Sequence, residues 1–171
     1  MKKINKNKFT LIEITVAFGV LAILIMFLMQ FLSTAQTSWN FSEKRARAYA
    51  DSRTAFDFIE KALNSADRSS TITTGDSLSF KGVKPYGDRE YKTITFSLNN
   101  GVLQLDGNEL ISNVVIFNSQ KIPNTNSYVM RLVMFGSKAD YDEYNDESDD
   151  DKKKEYLSQH GFSFIRLVNL Q

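Results

Sequence analysis

The chain of 171 residues contains no cysteine, two prolines, one tryptophan and one histidine. Without cysteine no disulfide can staple the fold, so any core holds by packing alone. His160 as the sole histidine, with no thiolate beside it, leaves a transition-metal centre short of ligands, and a surface or capping role is the expectation for it. No G-x-S-x-G elbow, phosphate-binding glycine loop, HExxH pair or dinucleotide fingerprint occurs, so nothing points to an enzyme and the expectation is a protein that does no chemistry. Lysine plus arginine number 21 against 20 aspartates and glutamates, a formal charge of +1, and no basic excess suggests a nucleic-acid partner.

Charge is also missing locally. Between Phe9 and Asn40 the only charged residue is Glu13, whereas Lys2, Lys3, Lys6 and Lys8 crowd the residues before it. From Ile14 to Met29 nothing is more polar than Thr15, and the flanks from Phe9 and to Leu32 extend the run. A bilayer core of roughly 30 Å takes about 20 helical residues, and in lipid the backbone must satisfy itself, so a spanning helix is predicted despite the β-branched residues. The basic stretch places the N-terminus in the cytoplasm and the remainder outside.

Three readings compete for this segment. A secretory signal cut after Ala35, with Ser33 and Ala35 as its small-residue pair, would have a shorter apolar run and no carboxylate. An uncleaved signal anchor has the right length and leaves Glu13 unexplained. A carboxylate inside an apolar helix is costly and calls for a partner or a task. Lys6 and Lys8 lie a turn or more toward the membrane surface and relieve it only in part by snorkelling, so a partner from outside the helix is expected.

The residues Lys8-Phe-Thr-Leu-Ile-Glu-Ile-Thr-Val-Ala-Phe resemble the class III prepilin signal of type IV pilins and type II secretion pseudopilins. The resemblance implies a leader cut between Lys8 and Phe9 by a prepilin peptidase, an N-methylated Phe9 as first residue of the mature chain, and Glu13 as its fifth. In that family the carboxylate meets the N-terminal amine of a neighbouring subunit, so that a buried charge is compensated only in the filament. The family's usual residue before the cut is glycine, and here it is Lys8.

Beyond the apolar run, Trp39 stands where an interfacial indole commonly sits. From Glu43 onward Ala55, Phe56, Ile59, Ala62, Leu63 and Ala66 recur at helical spacing, with Arg45, Arg47, Asp51, Asp57 and Lys61 on the wetter sides. No proline interrupts Phe9 to Ala66, so one long helix is predicted, with Gly19 as its soft point. Strands are predicted near Ser77 to Phe80, Lys92 to Leu98, Val102 to Leu105, Val114 to Phe117, Tyr128 to Phe135 and Phe162 to Val168. Asn99-Asn100-Gly101 and Asp106-Gly107 supply tight turns, giving an antiparallel meander. Tyr91, Phe96, Phe117, Tyr128 and Phe135 are expected to face the core. The succession FIEKALNSA, ITFSLNNGVLQLDG and LISNVVIF resembles J-type pseudopilins and W-type minor pilins.

The acidic run from Asp140 to Asp151, followed by Lys152 to Lys154, reads as a solvated, mobile excursion between two strands. A calcium site is the sharper alternative, with Asp140, Asp142 and Asp146 as candidates, although the spacing of an EF-hand loop is absent. No other cofactor is expected.

The predicted fold class is α+β, a long N-terminal, partly transmembrane helix packed on a small antiparallel β-sheet head. Residues 1–8 would be a leader, 9–32 a transmembrane and filament-core helix, and 33–171 a head whose helix continues to about 66. The resemblance makes the chain a minor pilin or pseudopilin in the bacterial inner membrane and then in a filament. Its implied partners are other pilins or pseudopilins, the prepilin peptidase and an inner-membrane assembly platform. The alternative is a membrane-anchored binding module that never enters a filament.

Overall fold

The structure is a computed structural model that describes residues 10–67, 71–84 and 91–170. It is α+β: a helix α1 (Leu11–Asn64), strands β1 (Ser77–Val83), β2 (Tyr91–Asn99), β3 (Val102–Leu105), β4 (Asn108–Ile111), β5 (Val114–Lys121) and β6 (Ser127–Met134), helices α2 (Lys138–Asp146) and α3 (Asp150–His160), and a last strand β7 (Phe162–Asn169). Two compact units divide at 42/43, and α1 belongs to both, the first holding its apolar start and the second its final turns with all the strands. Helix runs unbroken through Gly19, where a Cβ would meet nothing within 4 Å.

In the second unit α1 buries Ala48, Ser52, Ala55, Phe56, Ile59, Ala62 and Leu63. Steps of three and four put these on one face, and the small members let the helix approach the strands closely. Phe80, Ile94, Phe96, Leu103, Phe117, Met130 and Leu132 meet that face and close the core. The helix ends where Ser65 and Ala66 donate back to Ala62 and Leu63, a tightened last turn that satisfies terminal carbonyls. Ser65 Oγ also donates to the Val83 carbonyl at 2.7 Å and accepts from its N–H at 3.2 Å, fixing the helix end to β1. A Cβ on Gly82 would stand 3.0 Å from the Ser65 carbonyl oxygen, so any larger residue there would push the helix end back by a few tenths of an ångström.

The strands form two sheets, in the orders β1-β2-β3-β4 and β5-β6-β7, all pairs antiparallel. Both predicted tight turns are present, with positive φ at Asn100 and Gly101 (47° and 75°) and at Asp106 and Gly107 (49° and 82°). Left-handed backbone at both central residues matches the twist of a two-residue hairpin. The predicted antiparallel meander is formed by β2, β3 and β4 across these turns, and the strands as a whole are divided between two sheets. After β4, a strand the periodicity missed, Asn113 at φ 61° turns the chain out of the first sheet and into β5. The sheets meet where Gly75 and the buried Ser119 exchange backbone hydrogen bonds of 2.8 Å.

The mobile excursion expected at Asp140 to Asp151 is corrected, for all of the run but Glu147 to Asp149 lies in α2 and α3. Ser137 caps α2 by accepting from the Asp140 N–H, and Asp149 caps α3 by accepting from the N–H groups of Asp151 and Lys152. Asp140, Asp150 and Asp151 occupy first turns, where the helix dipole favours negative charge. Tyr141, Tyr144 and Tyr156 surround the buried Phe135 at centroid distances of 5.5 to 6.5 Å, an apolar anchor that the acidic composition concealed. Phe96, Phe117, Tyr128 and Phe135 are buried as expected, whereas Tyr91 is 55% exposed and donates to Asp67 at 2.6 Å, a correction. It opens β2 on the edge of the core rather than within it.

Candidate functional site

The first unit presents helix α1 with its apolar residues uncovered. Leu11, Ile12, Phe18, Met26, Phe27 and Phe31 are each at least 66% exposed, and the spanning stretch has no part buried inside the molecule. Such a surface on a single helix is out of place in water and suited to lipid or to other apolar helices. Three of its hydroxyls turn back on the helix: Thr15, Thr34 and Thr37 donate to the carbonyls of Leu11, Gln30 and Ser33 at 2.9 to 3.0 Å. Bonded back to the preceding turn, they add little penalty in an apolar medium. One helix near the N-terminus is therefore long and apolar enough to cross a membrane.

Glu13 is the exception, and the geometry at the helix start gives it local partners. Its Oε2 accepts from the Thr10 N–H at 2.8 Å and from Thr10 Oγ1 at 2.9 Å, while the Glu13 N–H donates to Thr10 Oγ1 at 3.3 Å. This is a reciprocal capping box with Thr10 at N-cap and Glu13 at N3, which satisfies donors that a helix start otherwise leaves open. Among the described residues no hydrogen bond reaches Oε1. The carboxylate is thus held at one oxygen and, among the described residues, unbonded at the other. Lys8 and Phe9, the residues of the expected cleavage and methylation, lie outside the described residues.

The calcium candidates are placed as follows. Asp140 is 7% exposed; Lys44 Nζ donates to its Oδ1 at 2.8 Å and Ser137 Oγ to its Oδ2 at 2.8 Å. Asp142 takes both its bonds from Lys138, at 2.8 and 2.6 Å. Asp146 is exposed at the end of α2. Two of the three therefore serve lysines, and among the described residues no group of three or more acidic, histidine or cysteine side chains is arranged to hold a metal ion. Asp140 instead joins α2 to α1, at a point where a Cβ on Gly136 would overlap the Lys44 carbonyl.

His160 ends α3 with its ring stacked 4.3 Å from that of Tyr156 and Nδ1 3.2 Å from the Tyr156 carbonyl oxygen, a packing position at the helix terminus. The Tyr156 phenol donates to Glu143 at 2.9 Å, and burial, that bond and the nearby charges of Asp140 and Glu143 push its pKa up to about 12. Between α1 and β7, Arg166 pairs with Glu60 at 2.7 Å and stands 3.7 Å from Asp57, so its guanidinium is matched by two carboxylates.

Sequence reasoning gave Glu13 partial relief from Lys6 and Lys8, looked outside the helix for its main partner, and missed Thr10. The signal was legible, since Thr-x-x-Glu directly before an apolar run is the pattern of a capping box. The Lys44 pair with Asp140 spans 96 positions and carries no local signal. No family model, curated protein or solved structure matches the chain.

Proposed function

We propose that the chain is a structural minor subunit, a minor pilin or pseudopilin, of a type IV pilus or type II secretion pseudopilus. The observation that carries this reading is the start of α1: an uncovered apolar stretch whose one carboxylate is fixed by Thr10 through Oε2 and, among the described residues, has no hydrogen bond at Oε1. In the proposed filament that donor is the amine of a neighbouring Phe9, created by cleavage after Lys8. The head lies outside the cytoplasm, decides which subunits it touches and does no chemistry. Peptidase, platform and motor are separate proteins.

The test is mass spectrometry of the N-terminal peptide from protein purified out of its native membrane. A chain beginning at N-methylated Phe9 supports the reading. A start at Met1 overturns it in favour of a fixed anchor, and a start at Gln36 makes the protein a secreted one. The anchor reading has its own support in the capping box, because a carboxylate with local partners is tolerated by a helix that stands alone in lipid.

Two substitutions separate these readings. Glu13→Gln keeps an acceptor at N3 for the Thr10 N–H and removes the charge, whereas Glu13→Ala removes both. If the charge meets a neighbour's amine, both variants enter filaments at least tenfold less than the parent, and the head melts at an unchanged temperature. Normal incorporation of Glu13→Gln refutes the ion pair and leaves Glu13 a cap.

A further inference from the structure

We draw no further inference here: the strongest candidate, the outer face of edge strand β7 where Ile165 (70% exposed) and Leu167 (53%) lie across from Arg131 and Val129 of β6, is an unpartnered apolar sheet face, and nothing in the structure shows what covers it.

Discussion

The ion pair between Lys44 and Asp140 offers a quantitative test of how the acidic helices are held. Asp140 has 10% of its side chain exposed and Lys44 has 38%, so the pair lies between two known limits. Exposed pairs contribute about 0 to 1 kcal/mol, and removing one partner of a fully buried pair costs about 3 to 5 kcal/mol. Lys44→Met keeps most of the aliphatic stem and deletes the ammonium, leaving the carboxylate with the Ser137 hydroxyl and the first turn of α2. Those remaining partners bring the expected loss down to about 2 kcal/mol. For a unit of this size that is a fall in Tm of about 8 °C. Asp140→Asn should cost less, about 1 kcal/mol, because Lys44 can reach water.

The assay is thermal unfolding of the full chain in detergent, followed by the near-ultraviolet signal of the head tyrosines rather than by helix content. The double variant should recover about 1 kcal/mol relative to the sum of the singles, as expected for residues in direct contact. Lys138→Met provides the comparison, since its pair with Asp142 is 78% and 50% exposed and should be worth less than about 0.5 kcal/mol. Coupling below about 0.3 kcal/mol, or equal effects of Lys44→Met and Lys138→Met, would refute the claim that Asp140 anchors α2 to α1.

Gly101→Ala should destabilise the head by about 1 to 2 kcal/mol from its left-handed backbone alone, and by more because a Cβ there overlaps the Tyr141 ring; an unchanged denaturant midpoint refutes this. Chelation with EDTA should leave Tm unmoved and added calcium should not raise it, because lysines occupy Asp140 and Asp142; a rise of several degrees with calcium overturns that assignment. Tyr156, raised to about 12 when folded, ionises near 10 when unfolded. Its contribution to stability is therefore whole below about pH 10 and is lost as pH rises from 10 through 12. Tyr156→Phe should flatten that part of the stability profile, and a slope identical to the parent's refutes the shift.

What was legible in the sequence was whatever depends on neighbours in the chain. Strands such as Val102–Leu105 were readable because alternation and the Asn-Gly and Asp-Gly turns act within a few residues. The buried stripe of α1 was readable for the same reason at a different period. Strand β4 was missed because four residues with Asn108 and Glu109 exposed show almost no alternation, and only pairing with β3 makes a strand of them.

The acidic run shows the converse. Its composition predicts solvation, and most of its charges are indeed solvated, but Phe135 lies outside the run and draws Tyr141, Tyr144 and Tyr156 together across two helices. Three tyrosines spaced for helical faces outweigh eight carboxylates, of which Asp140 is buried against Lys44 and the others stay at least partly in water, because an exposed charge opposes folding weakly whereas a ring packed on Phe135 favours it strongly. Glu13 combines both lessons at one residue. Its local role as a cap was written three positions from Thr10, and its proposed role toward a second subunit depends on an atom that the chain's own described residues leave open. A helix start built this way satisfies its own first donors, and the proposed filament contact would add a partner to a carboxylate that is already capped.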